Sequence, residues 1–249
     1  MPNVIIAPSL NYSPAKNPAP EQNGIGYCAN NSPYIFMAKS TGLNSFDMMA
    51  APSSPPGAAV TSIAVHPDKE FVACVTADYL YIYEFDYEDG FGSQLSATNL
   101  TGSGLRDVLC TPDGNDIIIA GSTLSDKVRG YPFDSDTGAL GTQYTTPTLG
   151  IVTPSSINMR PGNASTFLGI AGGGSHHEVW NFNQGWGSQY ATQTLTAVTN
   201  SFADLSVDVN GYVWTLLGDS SGFQIANLQN GVGNAWYRNT FTFSTVDDV

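Results

Sequence analysis

Three features of the sequence predict an all-β protein, a single-domain β-propeller of about five four-stranded blades. A cassette of about 47 residues recurs along the chain. Each cassette carries apolar runs of strand length, and Pro, Gly, Asn and Asp separate those runs. Alternating side chains leave one face of every predicted strand apolar, and a single blade cannot cover that face alone. Blades packed side by side would bury it.

The repeat is easiest to follow at its turns. A Pro-Asp or Pro-Gly turn occurs at residues 66–69, 111–114 and 160–163, and a weaker version occurs at 208–211. The prolines of the first three turns lie 45 and 49 residues apart. Turns of this composition are typical of tight connections between strands. A strand-like run follows each turn, at residues 70–75, 116–120, 166–170 and 212–217.

The next strand of each cassette carries aromatic residues at two matching positions. The first position recurs at intervals of 48 and 49 residues, and the second follows two residues later. Residues two apart lie on the same side of a strand, so we expect them to be buried between neighbouring blades. A fourth element begins at residues 92, 141, 187 and 233, with an earlier remnant at 44–46. The aromatic residues are Tyr83, Tyr131 and Trp180 at the first position and Phe85, Phe133 and Phe182 at the second.

Five cassettes account for residues 26–249, which we predict to form the propeller. Residues 1–25 are a proline-rich N-terminal arm with almost no apolar periodicity. The first cassette has no obvious innermost strand, and residues 3–9 are the best candidate to supply it and close the ring. The arm lacks the basic start and the long apolar run of a secretory signal, so no cleaved leader is expected.

Composition argues against two classes of partner. The 249-residue chain carries 8 Lys and Arg against 21 Asp and Glu, a net charge of −13, and its basic residues form no cluster. Phosphate recognition depends on grouped Lys and Arg, so nucleic acid is not an expected partner. No apolar run approaches the length of about 18 residues that predicts a membrane span, so a membrane is not expected either.

Three cysteines are too few for a framework of disulfides. Cys28 and Cys74 lie 46 residues apart, which is one repeat, and this spacing predicts the same buried strand position in consecutive blades. Cys110 precedes the second turn, in a predicted innermost strand. We expect all three to be core residues, because free cysteine commonly behaves as a small buried hydrophobe.

The sequence predicts no catalytic residue, no cofactor and no metal ligand. The strongest group of metal-ligand side chains is Ser-His-His-Glu at residues 175–178, after three glycines. Adjacent histidines on a strand point to opposite faces, and the chain has one other histidine, His66. The glycines lie between two predicted strands, so no helix N-terminus is present there to receive a phosphate.

Two acidic turns, at residues 86–90 and 134–138, resemble the opening of calcium-binding loops. Both lack the distal Glu of an EF-hand, and Asp and Gly at these places are typical of hairpin turns. If one ion does bind, Asp134 and Asp136 are the residues that would hold it. Four polar residues are predicted at the central pore, too few to assign a reaction: Arg106, Asp107, Asp204 and Asp208.

Residues 32–39 and 60–68, connected through Phe46 and the linker at 50–52, resemble WD40-like propeller repeats found in virion proteins of tailed bacteriophages. The resemblance extends over residues 26–236. It implies a structural or decoration subunit of a phage head, collar or tail, located in the virion and without enzymatic activity. It also implies assembly into a larger oligomer with other virion structural proteins. The Gly-His and Trp-Asp dipeptides of eukaryotic WD40 repeats are missing, which argues against a signalling scaffold.

Two other functions are open at this point. A five-bladed lectin would present an aromatic platform beside Asn or Asp to a host surface glycan. It ranks second, because the candidate aromatics occupy different positions in the repeat. A propeller hydrolase similar to lactonases ranks third, because the chain lacks a Gly-x-Ser-x-Gly nucleophile motif. The aromatics that a lectin would use are Trp180, Trp186, Trp214 and Trp236.

Overall fold

The computed structural model describes residues 24–28, 31–42, 45–159, 168–172, 176–194, 202–207, 213–219, 222–228 and 235–242. Within these ranges all regular structure longer than a turn is β-strand, so the all-β prediction is confirmed. The same ranges contain no helix with the length and apolar character needed to cross a membrane.

The described strands form five antiparallel sheets, each built from strands that follow one another in sequence. The first sheet contains β1 (Gly24–Cys28), β2 (Ile35–Gly42) and β3 (Ser45–Met48). The second contains β4 (Val60–Val65), β5 (Phe71–Thr76), β6 (Tyr79–Asp86) and β7 (Gly90–Asn99), and the third contains β8 (Leu105–Cys110), β9 (Asp116–Gly121), β10 (Val128–Asp134) and β11 (Ala139–Leu140). The fourth contains β12 (Pro154–Met159), β13 (Leu168–Gly172), β14 (His176–Phe182) and β15 (Trp186–Thr194). The fifth contains β16 (Phe202–Val207), β17 (Val213–Asp219), β18 (Gly222–Leu228) and β19 (Ala235–Thr242).

Successive sheets contact one another through their first strands, in the order β4, β8, β12 and β16. The sheets therefore repeat in space in the same order as the cassettes repeat in sequence. Four sheets have the four strands that the sequence predicts, whereas the first sheet has three strands within the described residues.

Strand β1 occupies the second position of its sheet rather than the first. Cys28 lies opposite Ile35 as Cys74 lies opposite Tyr81, so β1 corresponds to β5. Strand β1 contacts β4, the first strand of the next sheet, as β5 contacts β8. The sheet begins at Gly24, slightly inside the predicted arm. The predicted innermost strand at residues 3–9 lies outside the described residues.

The predicted turns have the same backbone geometry in the second and third sheets. The N–H of Lys69 donates to the carbonyl of His66, and the N–H of Gly114 donates in the same way to Thr111. The last residue of each turn has a positive φ, 63° at Lys69 and 76° at Gly114, a conformation that is least costly for glycine. The other two predicted turns lie outside the described residues.

Apolar clusters fill the spaces between neighbouring sheets. One joins the first and second sheets, another the second and third, and another the third and fourth. The predicted burial of the repeated aromatic residues is confirmed, because each is at most 8% exposed. The sequence repeat thus encodes packing between sheets. The buried aromatics are Tyr83, Phe85, Tyr131, Phe133, Trp180 and Phe182.

All three cysteines are free and buried, so their prediction as core residues is confirmed. Burial raises the pKa of the Cys28 thiol to about 11 and that of Cys110 to about 12. The thiolate is the reactive form of cysteine, and it is therefore scarce at neutral pH at both positions.

Candidate functional site

Strand β3 presents an apolar patch to solvent. All four of its residues are exposed, and the exposed fraction is 47% for Phe46 and 60% for Met48. Alternate residues of a strand point to the same side, so these two side chains lie together on one face. Exposed apolar side chains that are grouped in this way are typical of interaction sites.

One edge of β3 is unpaired within the described residues, since β3 hydrogen-bonds only to β2 in its sheet. The N–H of Met49 donates to the carbonyl of Met37, on the β2 side. Main-chain groups of successive residues point to opposite edges of a strand. The N–H and C=O groups of Phe46 and Met48 therefore point away from β2. An edge with such groups is a template for another strand.

The chain directly after β3 is fixed against the second sheet. Ala50 forms a parallel bridge with Gly90, and its carbonyl accepts from the N–H of Phe91 at 3.3 Å. A Cβ on Gly90 would lie 2.8 Å from the nitrogen of Ala50, so this close approach requires glycine. Met49 is buried in the cluster between the two sheets. The exposed edge is therefore held on a rigid support.

Acidic groups lie near this edge. Asp47 lies between the two exposed apolar residues and opposite Lys39 of β2. Lys39 Nζ lies 2.9 Å from Glu88 Oε2, and this hydrogen bond to Glu88 raises the pKa of Lys39. The lysine is thus engaged by the acidic turn at residues 86–90. Asp47 and that turn make the surroundings of β3 negatively charged.

The two acidic turns use their first Asp to hold the backbone. Asp134 Oδ1 accepts from the N–H of Asp136 at 2.9 Å and from the N–H of Thr137 at 3.3 Å. A hydrogen bond from the Thr137 side chain, and then the one from the N–H of Asp136, lower the pKa of Asp134. Asp86 holds the other turn in the same way. Hairpin chemistry therefore accounts for these residues, and the described ranges contain no cluster suited to a metal ion.

His66 connects two turns. Its ring is 1% exposed, Nε2 lies 2.8 Å from the carbonyl of Gly114, and Nδ1 accepts from the N–H of Asp68 at 3.3 Å. Nε2 thus links the turn of the second sheet to the turn of the third, whereas Nδ1 holds the backbone of its own turn. His176 and His177 lie on β14, and their side chains are outside the described part of the chain.

Asp107 joins three first strands. Its Oδ1 accepts from Ser62 Oγ of β4 at 2.7 Å, and its Oδ2 accepts from the N–H of Ile157 of β12 at 2.8 Å. Both carboxylate oxygens are thus engaged by neighbouring first strands, which indicates a structural role for Asp107. Arg106, beside it on β8, is exposed. Two further predicted pore residues have no described side chain: Asp204 on β16 and Asp208.

The predicted tryptophans have different environments. Trp180 is buried, and its Nε1 donates to Glu178 Oε2 at 2.7 Å, so Trp180 is a core residue rather than a sugar platform. Trp186 lines a shallow pocket at the turn between β14 and β15. The side chains of Trp214 on β17 and Trp236 on β19 are outside the described residues.

Sequence reasoning recognised Phe46 only as a remnant of the fourth strand and did not single out Met48. The available signal was the alternation of these two residues about Asp47. The strand register places Phe46 opposite Ser40 as Gly90 lies opposite Asp86, so the equivalent position of the second sheet holds a glycine. An exposed aromatic side chain where another repeat has glycine indicates an interaction edge.

No protein-family model matches the chain, and none of the curated proteins matches it. Its fold is similar to that of a functionally unknown protein from Desulfotomaculum acetoxidans DSM 771, with a TM-score of 0.65 and 18% identity. The similarity covers 88% of this chain and 67% of that protein. An identity this low shows a shared fold alone.

Proposed function

We propose that this protein is a non-enzymatic structural or decoration subunit of a phage particle that acts as a protein–protein interaction module. The observation that carries this proposal is the rigidly held, exposed edge of β3. The resemblance of the repeats to phage virion proteins supports the location in the virion. We further propose that the five sheets are blades of a β-propeller, which the contacts between successive first strands support.

Another virion protein would bind by adding a strand to β3. The main-chain groups of Phe46 and Met48 would pair with that strand, and the two side chains would fill apolar pockets of the partner. Asp47 and the acidic turn favour a partner segment that carries Lys or Arg, because complementary charge speeds association and fixes register. A stable contact needs a total interface of about 1,200 Å² or more, so the partner would also cover neighbouring surface.

The location is tested by mass spectrometry of purified particles from the source. We expect this chain among the virion proteins at a stoichiometry consistent with a repeated subunit. Its absence from intact particles, while it is present in the soluble fraction of the same lysate, would overturn the proposal.

The binding edge is tested by the double substitution F46K/M48K. Two lysines on this face would prevent burial against an apolar partner, because an unpaired buried charge is costly. We expect incorporation into particles to fall about tenfold or more, the effect of a loss of about 1.4 kcal/mol in binding. Val152 is 64% exposed and V152K is the matched control, with unchanged incorporation expected. Normal incorporation of a folded F46K/M48K variant contradicts the proposed edge.

A further inference from the structure

A shallow pocket lies at the turn between β14 and β15 of the fourth sheet. Residues 181–187 line it, and its volume is about 310 Å³. None of these residues is charged. The volume is at the lower end for small-molecule sites, which suits one small ring-shaped ligand, and the uncharged lining favours a neutral one.

One wall of the pocket is an aromatic ring in a fixed orientation. Trp186 meets Trp180 edge-to-face at 6.0 Å and Phe182 at 5.5 Å between ring centroids. Within the described residues, the Trp186 Nε1 atom is buried and has no hydrogen-bond partner, which is uncommon for a buried donor. Because this atom is closed to solvent, a ligand in the pocket meets the accessible part of the ring rather than its N–H. The half-buried ring therefore offers an apolar surface to a ligand.

The other wall carries amides. Asn181 Nδ2 donates to the carbonyl and to the Oγ of Ser188, at 3.2 and 3.0 Å, which fixes the base of the turn. The side chains of Asn183 and Gln184 are exposed. A carboxamide both donates and accepts, as a sugar hydroxyl does. The turn itself is well defined, because Gln184 has φ 47° and the N–H of Asn183 donates to the carbonyl of Gly185 at 3.0 Å.

The equivalent turn of the second sheet has no such opening. Phe91 lies opposite Phe85 as Trp186 lies opposite Phe182, so Phe91 and Trp186 occupy equivalent positions. Phe91 is 9% exposed, and Ala50 covers the turn through its backbone bridge. The second sheet therefore lacks the indole and the open pocket of the fourth sheet. The tryptophans occupy different positions in the repeat, but a protein with one sugar site needs only one of them.

We propose that this pocket binds one neutral pyranose sugar, with the exposed surface of Trp186 against the ring carbons and the amides of Asn183 and Gln184 bonded to hydroxyls. This binding goes beyond assembly through β3, because it uses a different sheet. A site for one sugar ring supports affinities on the order of millimolar.

The test is a titration of the ¹⁵N-labelled chain with glucose, galactose, mannose and N-acetylglucosamine, each up to about 100 mM because of the weak affinity expected. At least one sugar is expected to move the indole N–H resonance of Trp186 in a saturable manner. The Trp180 indole is bonded to Glu178 and serves as the internal control, with no shift expected. Signals are assigned with W186F and W180F.

Two variants test the contacts. W186F places at this position the residue that the second sheet already carries, and Q184G retains the positive φ while it removes the amide. We expect W186F to weaken sugar binding about tenfold or more and Q184G to weaken it measurably. Gln189 lies on β15 outside the pocket, and Q189A is the matched control, with unchanged affinity expected.

The proposal is overturned if none of the four sugars moves the Trp186 resonance. It is also overturned if affinity survives both W186F and Q184G. A dispersed, folded-state indole resonance of Trp180 in W186F and in Q184G shows that the fourth sheet is folded, so a loss of binding is then a loss of contacts. Particle assembly has no part in these measurements.

Discussion

Asp116, the first residue of β9, is a carboxylate with 1% of its surface exposed. Its Oδ1 accepts from the hydroxyl of Tyr144 at 2.6 Å, which holds the irregular segment after β11 against the third sheet. Burial raises the pKa of Asp116, and the neighbouring Asp113 adds to this, although the Tyr144 hydrogen bond opposes it. Burial and then the same hydrogen bond raise the pKa of Tyr144. The folded structure therefore disfavours the charged form of Asp116 relative to the unfolded chain.

Replacing Asp116 with Asn retains an acceptor for Tyr144 and removes the buried charge. A carboxyl with a raised folded pKa contributes stability below its ordinary value of 3.8, and that contribution is lost as the pH rises through the folded pKa. We therefore expect D116N to gain stability over the parent as the pH rises through this window and to keep the gain above it. Urea unfolding at a series of pH values measures the difference, and a pH-independent difference would refute the expectation.

Phe133 illustrates the value of the buried repeat positions. It packs against His66 and Phe71, with centroid distances of 5.1 and 5.3 Å. We expect F133A to lower the free energy of unfolding by about 3–5 kcal/mol, since the cavity adds to the lost transfer energy. F46A is the matched control, because Phe46 is exposed, and a change below about 0.5 kcal/mol is expected. A loss below about 1 kcal/mol in F133A would show that the core is not packed as described.

Among the elements, β11 shows how one residue shortens a strand. The carbonyls of Gly130 and Pro132 accept from the N–H groups of Tyr144 and Gly141, so the main-chain groups of Pro132 face the outer strand. Proline has no N–H to donate. The ladder is therefore regular only at the two residues of β11, whereas β7 and β15 have ten and nine residues.

The sequence predicts the turns from their composition, the repeated aromatics from alternation along a strand, and the buried cysteines from the spacing of the repeat. It predicts a fourth strand at residue 141 that Pro132 mostly prevents, since the effect of a proline depends on which neighbour its N–H would face. The exposed face of β3 was not predicted. Alternation shows that Phe46 and Met48 share a face, but it does not show whether another part of the protein covers that face. Asp107 lies on β8, and its two partners lie in other repeats, at separations in sequence that no local pattern encodes.

The three first strands joined by Asp107 provide a test at this scale. D107A removes hydrogen bonds to Ser62 and Ile157 and leaves both partners without the carboxylate, so we expect a loss of about 2–4 kcal/mol in unfolding free energy. D107N is expected to recover part of this, because its amide accepts from Ile157 and donates to Ser62 Oγ, although the amide NH2 also faces the N–H of Val108. Arg106 is exposed, and R106A serves as the control. Equal stability of the Ala and Asn variants in chemical denaturation would mean that these bonds do not hold the strands.

In the whole molecule, each described sheet packs against the next one along the chain, through apolar clusters and first-strand contacts. Such an array has two possible behaviours, because stability can be divided among nearest neighbours or shared by one cooperative unit. A single domain, as the sequence predicts, requires the second behaviour. The position of the tryptophans allows fluorescence to distinguish independent unfolding of the sheets from cooperative unfolding.

All four tryptophans lie on β14, β15, β17 and β19, in the fourth and fifth sheets, so their fluorescence reports on that part of the chain alone. Phe85 lies in the cluster between the first and second sheets, and F85A is expected to cost about 3–5 kcal/mol there. If the sheets unfold as one unit, the urea midpoint by fluorescence shifts as far as the midpoint by far-ultraviolet circular dichroism, with an unchanged m value. F182A, in the fourth sheet, should shift both probes equally as well. A fluorescence midpoint that stays at the parent value in F85A, while the circular dichroism transition splits in two, would show separate folding units and refute the single domain.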